Sequence, residues 1–481
     1  EVFMRKIFLF VAKYLLTYYL LTFSLLSILI AVSFSGCSIA DNTDNTITNI
    51  YKSSKDFVRI TVTHWSLGYS KGFEEAIMNY NQKNTEGIKA AILKIPQDRY
   101  SETVNMLMAS GEGPDIIGLN DELLNSYISR RWILDLSGYI GDSFISKFPK
   151  WALNSVTDYA YRENIYTFPS CMITFRLIYN RDLFEAAGLN PDNPPKTISQ
   201  LIDYAGKISS THKGERKYGF AIPAGGEWTG FIQSMEAPAT YSGIYYYDYI
   251  NGKHDLFVYE PWFQAIMDMK KNGGLFPGEN NLKIDSARMQ FAEGNIGMMF
   301  ATSWDPAIFE LLYPAKCNWD VAMPPALDKS SIGKGALLIT TGSCYAVNSK
   351  TAHIPQAIEV WKYLYSENFQ EELYKSGSEI PILKGLVDDP KCTPHIKNFD
   401  KFIPSSNDSP YPNTPKGFDE WSRMKAYSSI LDCYSSLQDK LTEENERLKI
   451  YYKSERSIGR YLEDEYIIKN FNPREPLGEE Q

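Results

Sequence analysis

Apolar and polar positions follow two rhythms that replace one another at short intervals. Val58 to Val62 shows the two-residue alternation of a half-buried strand, and Phe73, Ile77 and Tyr80 then fall on one helical face. The exchange repeats. Ala90 to Ile95 predicts a strand, and Val104, Leu107 and Met108 a helical stripe. Asp115-Ile116-Ile117-Gly118-Leu119 predicts a short buried strand, entered through the turn Gly111-Glu112-Gly113-Pro114. This order predicts βαβ units and a parallel sheet. Ligands of such sheets sit beyond the carboxyl ends of the strands, which directs attention to His64-Trp65-Ser66 and Asn120-Asp121-Glu122. More than 400 residues follow Phe57, above what one core usually holds, so two lobes are expected.

A different pattern precedes the folded part. Leu15 to Phe34 is a nearly continuous apolar run that follows Arg5 and Lys6 and ends on Phe34-Ser35-Gly36-Cys37. That is the layout of a bacterial lipoprotein signal, with a basic start kept in the cytoplasm and small residues before a cysteine that becomes lipidated. About twenty apolar residues also suffice to span a hydrocarbon core, so an uncleaved transmembrane helix is the alternative. Residues 1–36 are expected as the signal peptide. Residues 37–56, with the polar run Asp41 to Thr46, are expected as the lipidated Cys37 and a flexible tether. Either reading places the rest of the chain on the extracellular face of a cell membrane.

Charge narrows the partners. The chain carries 49 basic and 58 acidic residues, a net −9; removing residues 1–36, which hold one Glu, one Arg and two Lys, leaves −11. Such a surface repels nucleic acid and anionic lipid, and no block of five basic residues overturns this. Beyond Cys37 the cysteines are Cys171, Cys317, Cys344, Cys392 and Cys433, an odd number without paired short spacing, which is no disulfide framework. His64, His212, His254, His353 and His395 are scattered and match no zinc-ligand spacing. No metal or other cofactor is expected.

Several collinear segments resemble the extracellular solute-binding proteins of ABC importers, in particular the sugar-binding family that includes maltodextrin-binding protein. They are Trp65 after the first strand, Gly113-Pro114-Asp115-Ile116-Ile117, and Ser129-Arg130-Arg131-Trp132-Ile133-Leu134-Asp135-Leu136. Ile165-Tyr166-Thr167-Phe168-Pro169 comes next, then Leu177-Ile178-Tyr179-Asn180-Arg181-Asp182-Leu183-Phe184-Glu185-Ala186-Ala187-Gly188-Leu189 and Asn193-Pro194-Pro195-Lys196-Thr197. Phe291 to Trp304 is similar to a further family segment, with Gly297 in place of the usual Ala and Ser303 before Trp304. Gly342 to Lys350 and Gly377 to Pro381 complete the series. The likeness runs from Phe57 to about Leu386, while Asp388 to Asn470 is only loosely similar.

The resemblance implies an α/β fold of periplasmic-binding-protein type II, two βαβ lobes joined by hinge strands around an interlobe cleft. Lobe I is expected at 57–169 plus 302–345 and lobe II at 170–301 plus 346–470. Chain crossings are implied near Phe168–Met172, Met299–Thr302 and Ser343–Ala346. It further implies a monomeric, membrane-tethered receptor that delivers a sugar or oligosaccharide to ABC permease subunits. The alternatives are a surface carbohydrate-active hydrolase, which needs two carboxylates across a glycosidic bond, and a non-transport sensor or scaffold. No phosphate-loop motif supports catalysis.

Most of the diagnostic motif has structural work to do. Asp182 suits the first turn of a helix, Gly188 its end, and Thr197 the cap of the next. A sugar site needs flat aromatic surfaces for C–H faces and planar polar groups for hydroxyls. Trp65, Trp228 and Trp304 are the aromatic candidates, Trp228 within the loop Ala224-Gly225-Gly226-Glu227-Trp228-Thr229-Gly230. Asn120, Asp121, Glu227 and Asp305 are the polar ones, Asp121 being equally a helix cap. Arg176 is expected to be exposed on an alternating strand. The tyrosines Tyr241, Tyr245, Tyr246, Tyr247 and Tyr249 suit either a packed hairpin or a further aromatic wall.

Overall fold

The computed structural model describes residues 57–64, 71–96, 99–119, 121–155, 164–226, 228–383, 385–415, 421–432, 436–459 and 462–478. Its strands are β1 (Val58–Thr63), β2 (Ile88–Ile92), β3 (Ile116–Leu119), β4 (Pro169–Ile173), β5 (Phe175–Asn180), β6 (Tyr218–Phe220), β7 (Tyr247–Asp248), β8 (Lys253–His254), β9 (Ile296–Thr302), β10 (Trp319–Ala322), β11 (Leu337–Val347), β12 (Ile380–Pro381) and β13 (Asp408–Pro410). The expected βαβ start is present. β1 pairs in parallel with β2 (Val58↔Ile88) and with β3 (Val62↔Ile116), through helices Lys71–Lys83 and Tyr100–Ser110.

Two main sheets result. The first has the order β12-β4-β11-β3-β1-β2, with β13 on β11; the second has the order β10-β5-β9-β6. Each carries its own core. Ile60, Val62, Phe73, Tyr345, Trp361 and Phe369 pack around the first, and Leu177, Phe220, Phe263, Met298, Phe300 and Tyr427 around the second. β3, β5 and β9 are buried at every position, as suits strands covered on both faces.

The local signals behave as the residue types dictate. Asn180 caps helix Arg181–Ala186, Gly188 takes φ +68° just beyond it, and Thr197 Oγ1 accepts from Gln200 N at the start of Ile198–Thr211. That second helix lies so close to β6 that a Cβ on Gly219 would come within 2.1 Å of the Ala205 carbonyl oxygen.

The chain makes its first passage between sheets close to the implied place at Phe168–Met172 and the other two elsewhere. β4 ends at Ile173 in the first sheet and β5 opens at Phe175 in the second, so Thr174 alone makes the first passage. β9, helix Asp305–Leu311 and β10 all remain with the second sheet, and the return falls between Ala322 and Leu337 rather than at Met299–Thr302 or Ser343–Ala346. A third passage follows β12: Phe399 packs with Tyr374 and Ile380, whereas Phe402 packs with Phe291 and Trp319. Three stretches therefore lie opposite to the expected partition, the shortest being residues 170–173 of β4, which stay with the first sheet. Residues 302–322 belong with the second sheet. Residues 346–383 belong with the first, because Trp361, Leu364 and Leu373 fill its core.

Candidate functional site

Two of the passages, at Thr174 and before Leu338, meet at one cluster rich in aromatic side chains. Ile173, Phe175, Ala237 and Leu338 form its buried base, and Trp228, Trp304, Ile232 and Tyr411 pack on it half-buried. The indoles of Trp228 and Trp304 lie stacked, centroids 6.2 Å apart and planes 26° from parallel; Phe175 stands 5.9 Å from Trp228. Two of the three tryptophan candidates are thus brought together from positions 76 residues apart in the sequence.

Trp304 owes its placement to the turn that carries it. Ser303 N donates to Thr174 O (3.1 Å), tying the end of β9 to the first passage. Asp305 then accepts from Thr302 N (2.6 Å) and Thr302 Oγ1 (2.9 Å) with Oδ2, and from Arg288 Nε (2.6 Å) with Oδ1. Both its oxygens are engaged inside the protein and the residue has no exposure, so Asp305 fixes the turn rather than facing a solute. That corrects its expected role. Its position in the first helical turn, with Pro306 behind it, is where a carboxylate is favoured by the helix dipole.

Trp228 opens a π-helix, Trp228–Glu236, whose final residue leads into the short helix Ala237–Thr240. The glycines before it allow close approach: Gly225 N donates to Leu282 O, and a Cβ on Gly225 would meet the Asn281 backbone at 2.7 Å. Ser303 Oγ and Thr340 Oγ1, on segments flanking Thr174, are buried without a hydrogen-bond partner among the described residues. Such a hydroxyl costs about 1–3 kcal/mol until a polar group reaches it.

Arg176 is buried, not exposed. Its guanidinium grips Asp408 through Nη1–Oδ1 (2.6 Å) and Nη2–Oδ2 (2.9 Å), and its Nε donates to Lys401 O (2.9 Å). The tyrosines Tyr246, Tyr247 and Tyr249 are also buried, in and beside the β7–β8 hairpin within the core of the second sheet, Tyr249 against Phe471 and its neighbour Tyr245 against Tyr411. This is the packed-hairpin alternative. Tyr411 was not foreseen as part of the cluster; its OH donates to Ala336 O (3.0 Å) and Pro473 O (3.2 Å). The signal was Pro410-Tyr411-Pro412, an aromatic residue held between two fixed backbone positions.

Trp65, Asn120, Glu227 and Cys37 lie outside the described residues, as does the side chain of Asp121, whose backbone begins helix Asp121–Ser129. His64, at the end of β1, is wholly buried against Tyr345 (centroids 5.3 Å), and burial pushes its pKa down to about 3. Among the described residues no cluster of His, Cys, Asp or Glu is arranged to hold a metal ion. No helix among them is long and apolar enough to cross a membrane.

Known proteins share both sequence and architecture with this chain. Residues 65–371 match the bacterial extracellular solute-binding protein family. The galactooligosaccharide-binding protein of Bacillus subtilis is 22% identical over 73% of this chain and 79% of its own length. The sn-glycerol-3-phosphate-binding periplasmic protein of Escherichia coli K12 is 28% identical over 64% of this chain and 67% of its own. In structure, the acarbose-binding GacH receptor of Streptomyces glaucescens superposes with a TM-score of 0.65 at 17% identity, covering 82% of this chain and 98% of that one. The maltodextrin-binding domain of Bdellovibrio bacteriovorus, bound to maltotriose, gives 0.61 at 18% identity over 82% and 100%. The fold is that of the type II periplasmic binding proteins, and with the family match spanning well over half its length the chain belongs to the bacterial extracellular solute-binding proteins.

Proposed function

We propose that this protein captures a neutral sugar or oligosaccharide between two lobes and presents it to the permease of an ABC importer, with no chemistry of its own. The stacked Trp228–Trp304 pair at the passages between the sheets carries this reading. Indole faces suit the C–H faces of sugar rings, and unpartnered hydroxyls beside them suit a polyhydroxylated guest. The charges point the same way. Arg176, Arg288 and Arg423 are each buried in an ion pair, with Asp408, Asp305 and Glu236, and so are poor receptors for a phosphate or carboxylate. The relatives' ligands include both galactooligosaccharides and sn-glycerol-3-phosphate, and the aromatic platform favours the former class.

The proposed lobes follow the two cores: 58–173 with 337–399, and 175–322 with 402–478, β13 of the latter reaching across to the first sheet, and they close about the three passages. Trp65, Asn120, Asp121 and Glu227 are proposed to complete the site. Lipidation at Cys37 holds the monomeric receptor at the extracellular face of the membrane.

A thermal-shift screen of mono- and oligosaccharides, with glycerol phosphate as the anionic arm, tests the solute class. A true ligand at a hundredfold excess over Kd stabilises by about 2.7 kcal/mol. Stabilisation by the anion alone would overturn the neutral-sugar reading. Labelled palmitate should enter the native protein and not Cys37→Ala; a native protein that takes up no label and keeps residues 1–36 would argue for an uncleaved transmembrane segment.

A further inference from the structure

The π-helix that bears Trp228 is held at its far end by a part of the chain outside the family match. Turns of this kind are rare and normally occur as single bulges inside α-helices, so nine consecutive residues persist only where their surroundings over-determine them. One constraint comes from the second sheet: Gln233 Nε2 donates to Phe300 O on β9 (2.7 Å). The other comes from helix Trp421–Leu431. Glu236, the last π-helical residue, accepts from Arg423 Nε (2.7 Å) and Nη2 (3.4 Å) and from Tyr427 OH (2.6 Å). All three residues are buried, the Arg423 guanidinium lies over the Tyr246 ring at 3.9 Å, and Tyr427 also packs on Phe231 at 5.4 Å. The family match covers residues 65–371. The ion pair therefore joins an element inside that match to one beyond it.

We infer that Arg423 is a positioning residue for the solute site: by fixing Glu236 it keeps this segment in the wider helical form and so holds Trp228 against Trp304. Relaxation to ordinary α-helix would shift hydrogen bonds from i+5 to i+4 and turn Trp228 about the axis by roughly one residue position per turn. The stacked pair would separate. The functional consequence rests on the sugar reading above, whereas the structural one does not.

The test reads the circular-dichroism exciton couplet of the two coupled indoles, in ligand-free protein, with Trp304→Phe establishing which part of the spectrum belongs to the pair. Glu236→Met with Arg423→Met removes both charges together and so leaves no uncompensated buried ion. The double variant is expected to melt cooperatively, to lose the couplet, and to bind the sugar found by screening at least about tenfold more weakly. A folded double variant that keeps the couplet overturns the inference, whatever its affinity. Should that variant fail to fold, Arg423→Lys decides: it keeps the charge but loses the planar fork and the stacking on Tyr246. A diminished couplet supports the positioning role and an unchanged one refutes it. If no sugar binds the native protein, the solute reading fails while the couplet still judges this one.

Discussion

At the scale of single residues, burial decides more than residue type. His64 and His254 are both enclosed, and burial lowers both pKa values from the usual 6.5 to about 3, His254 being stacked on Tyr452 at 3.6 Å. The folded state keeps them neutral while the unfolded chain protonates them. Their contribution is therefore fully present above pH 6.5 and lost as pH falls towards 3. At about pH 5 each should have cost about 2 kcal/mol relative to neutral pH. Urea unfolding at pH 7.5 and pH 5 measures the loss, and His254→Phe should remove about half of it; an equal loss in that variant would show that other groups cause the acid sensitivity. The binding residues give a second prediction. Trp304→Ala should raise Kd for the solute about 30-fold, near 2 kcal/mol, by calorimetry, as expected of a central aromatic anchor. Unchanged affinity would remove Trp304 from the site. Trp304 was legible because an indole directly after a strand end is conspicuous. Asp305 was misread because a carboxylate in a first helical turn looks the same whether it serves a solute or, as here, Arg288 and Thr302.

At the scale of elements, rhythm was legible and proximity was not. The alternation of strand and helix from Val58 to Leu119 is present with small shifts of boundary, β2 covering Ile88–Ile92 where Ala90 to Ile95 was expected. β5 defeats the same logic: all six of its residues are buried, so Arg176 points to no solvent and finds Asp408 instead. Close packing of helix Ile198–Thr211 on β6 was equally hidden, because Gly219 has no pattern that announces it. Gly219→Ala should destabilise the fold by about 1–3 kcal/mol, since its Cβ would meet backbone, which cannot yield as a side chain can. Gly138→Ala, where a Cβ meets nothing within 4 Å, should leave the melting midpoint unchanged. Equal midpoints for the two variants would show that this strand and helix separate at little cost.

At the scale of the whole molecule, a segment beyond the family match binds the two sheets together. Residues 399–411 bridge them. Thr174 Oγ1 donates to Phe402 O (2.6 Å), β13 pairs with β11 of the first sheet, and Asp408 holds Arg176 of the second. No rhythm marks this role, because Pro404, Pro410 and Pro412 break every period and two of the three partners, Thr174 and Arg176, lie over 200 residues away. The Arg176–Asp408 pair has side-chain exposures of 4% and 0%, so water screens neither charge. Removing one partner strands the other. Asp408→Ala should therefore lose about 3–5 kcal/mol, and also the Ser405 contacts that its Oδ2 accepts. Arg176→Met combined with Asp408→Leu should recover most of that loss, because two apolar side chains replace two desolvated charges. Chemical denaturation of the single and double variants separates the cases. A single variant as stable as the native protein would mean that water enters this passage, and a double variant no better than the single would mean that the backbone contacts of 399–411, not the ion pair, hold the sheets in register.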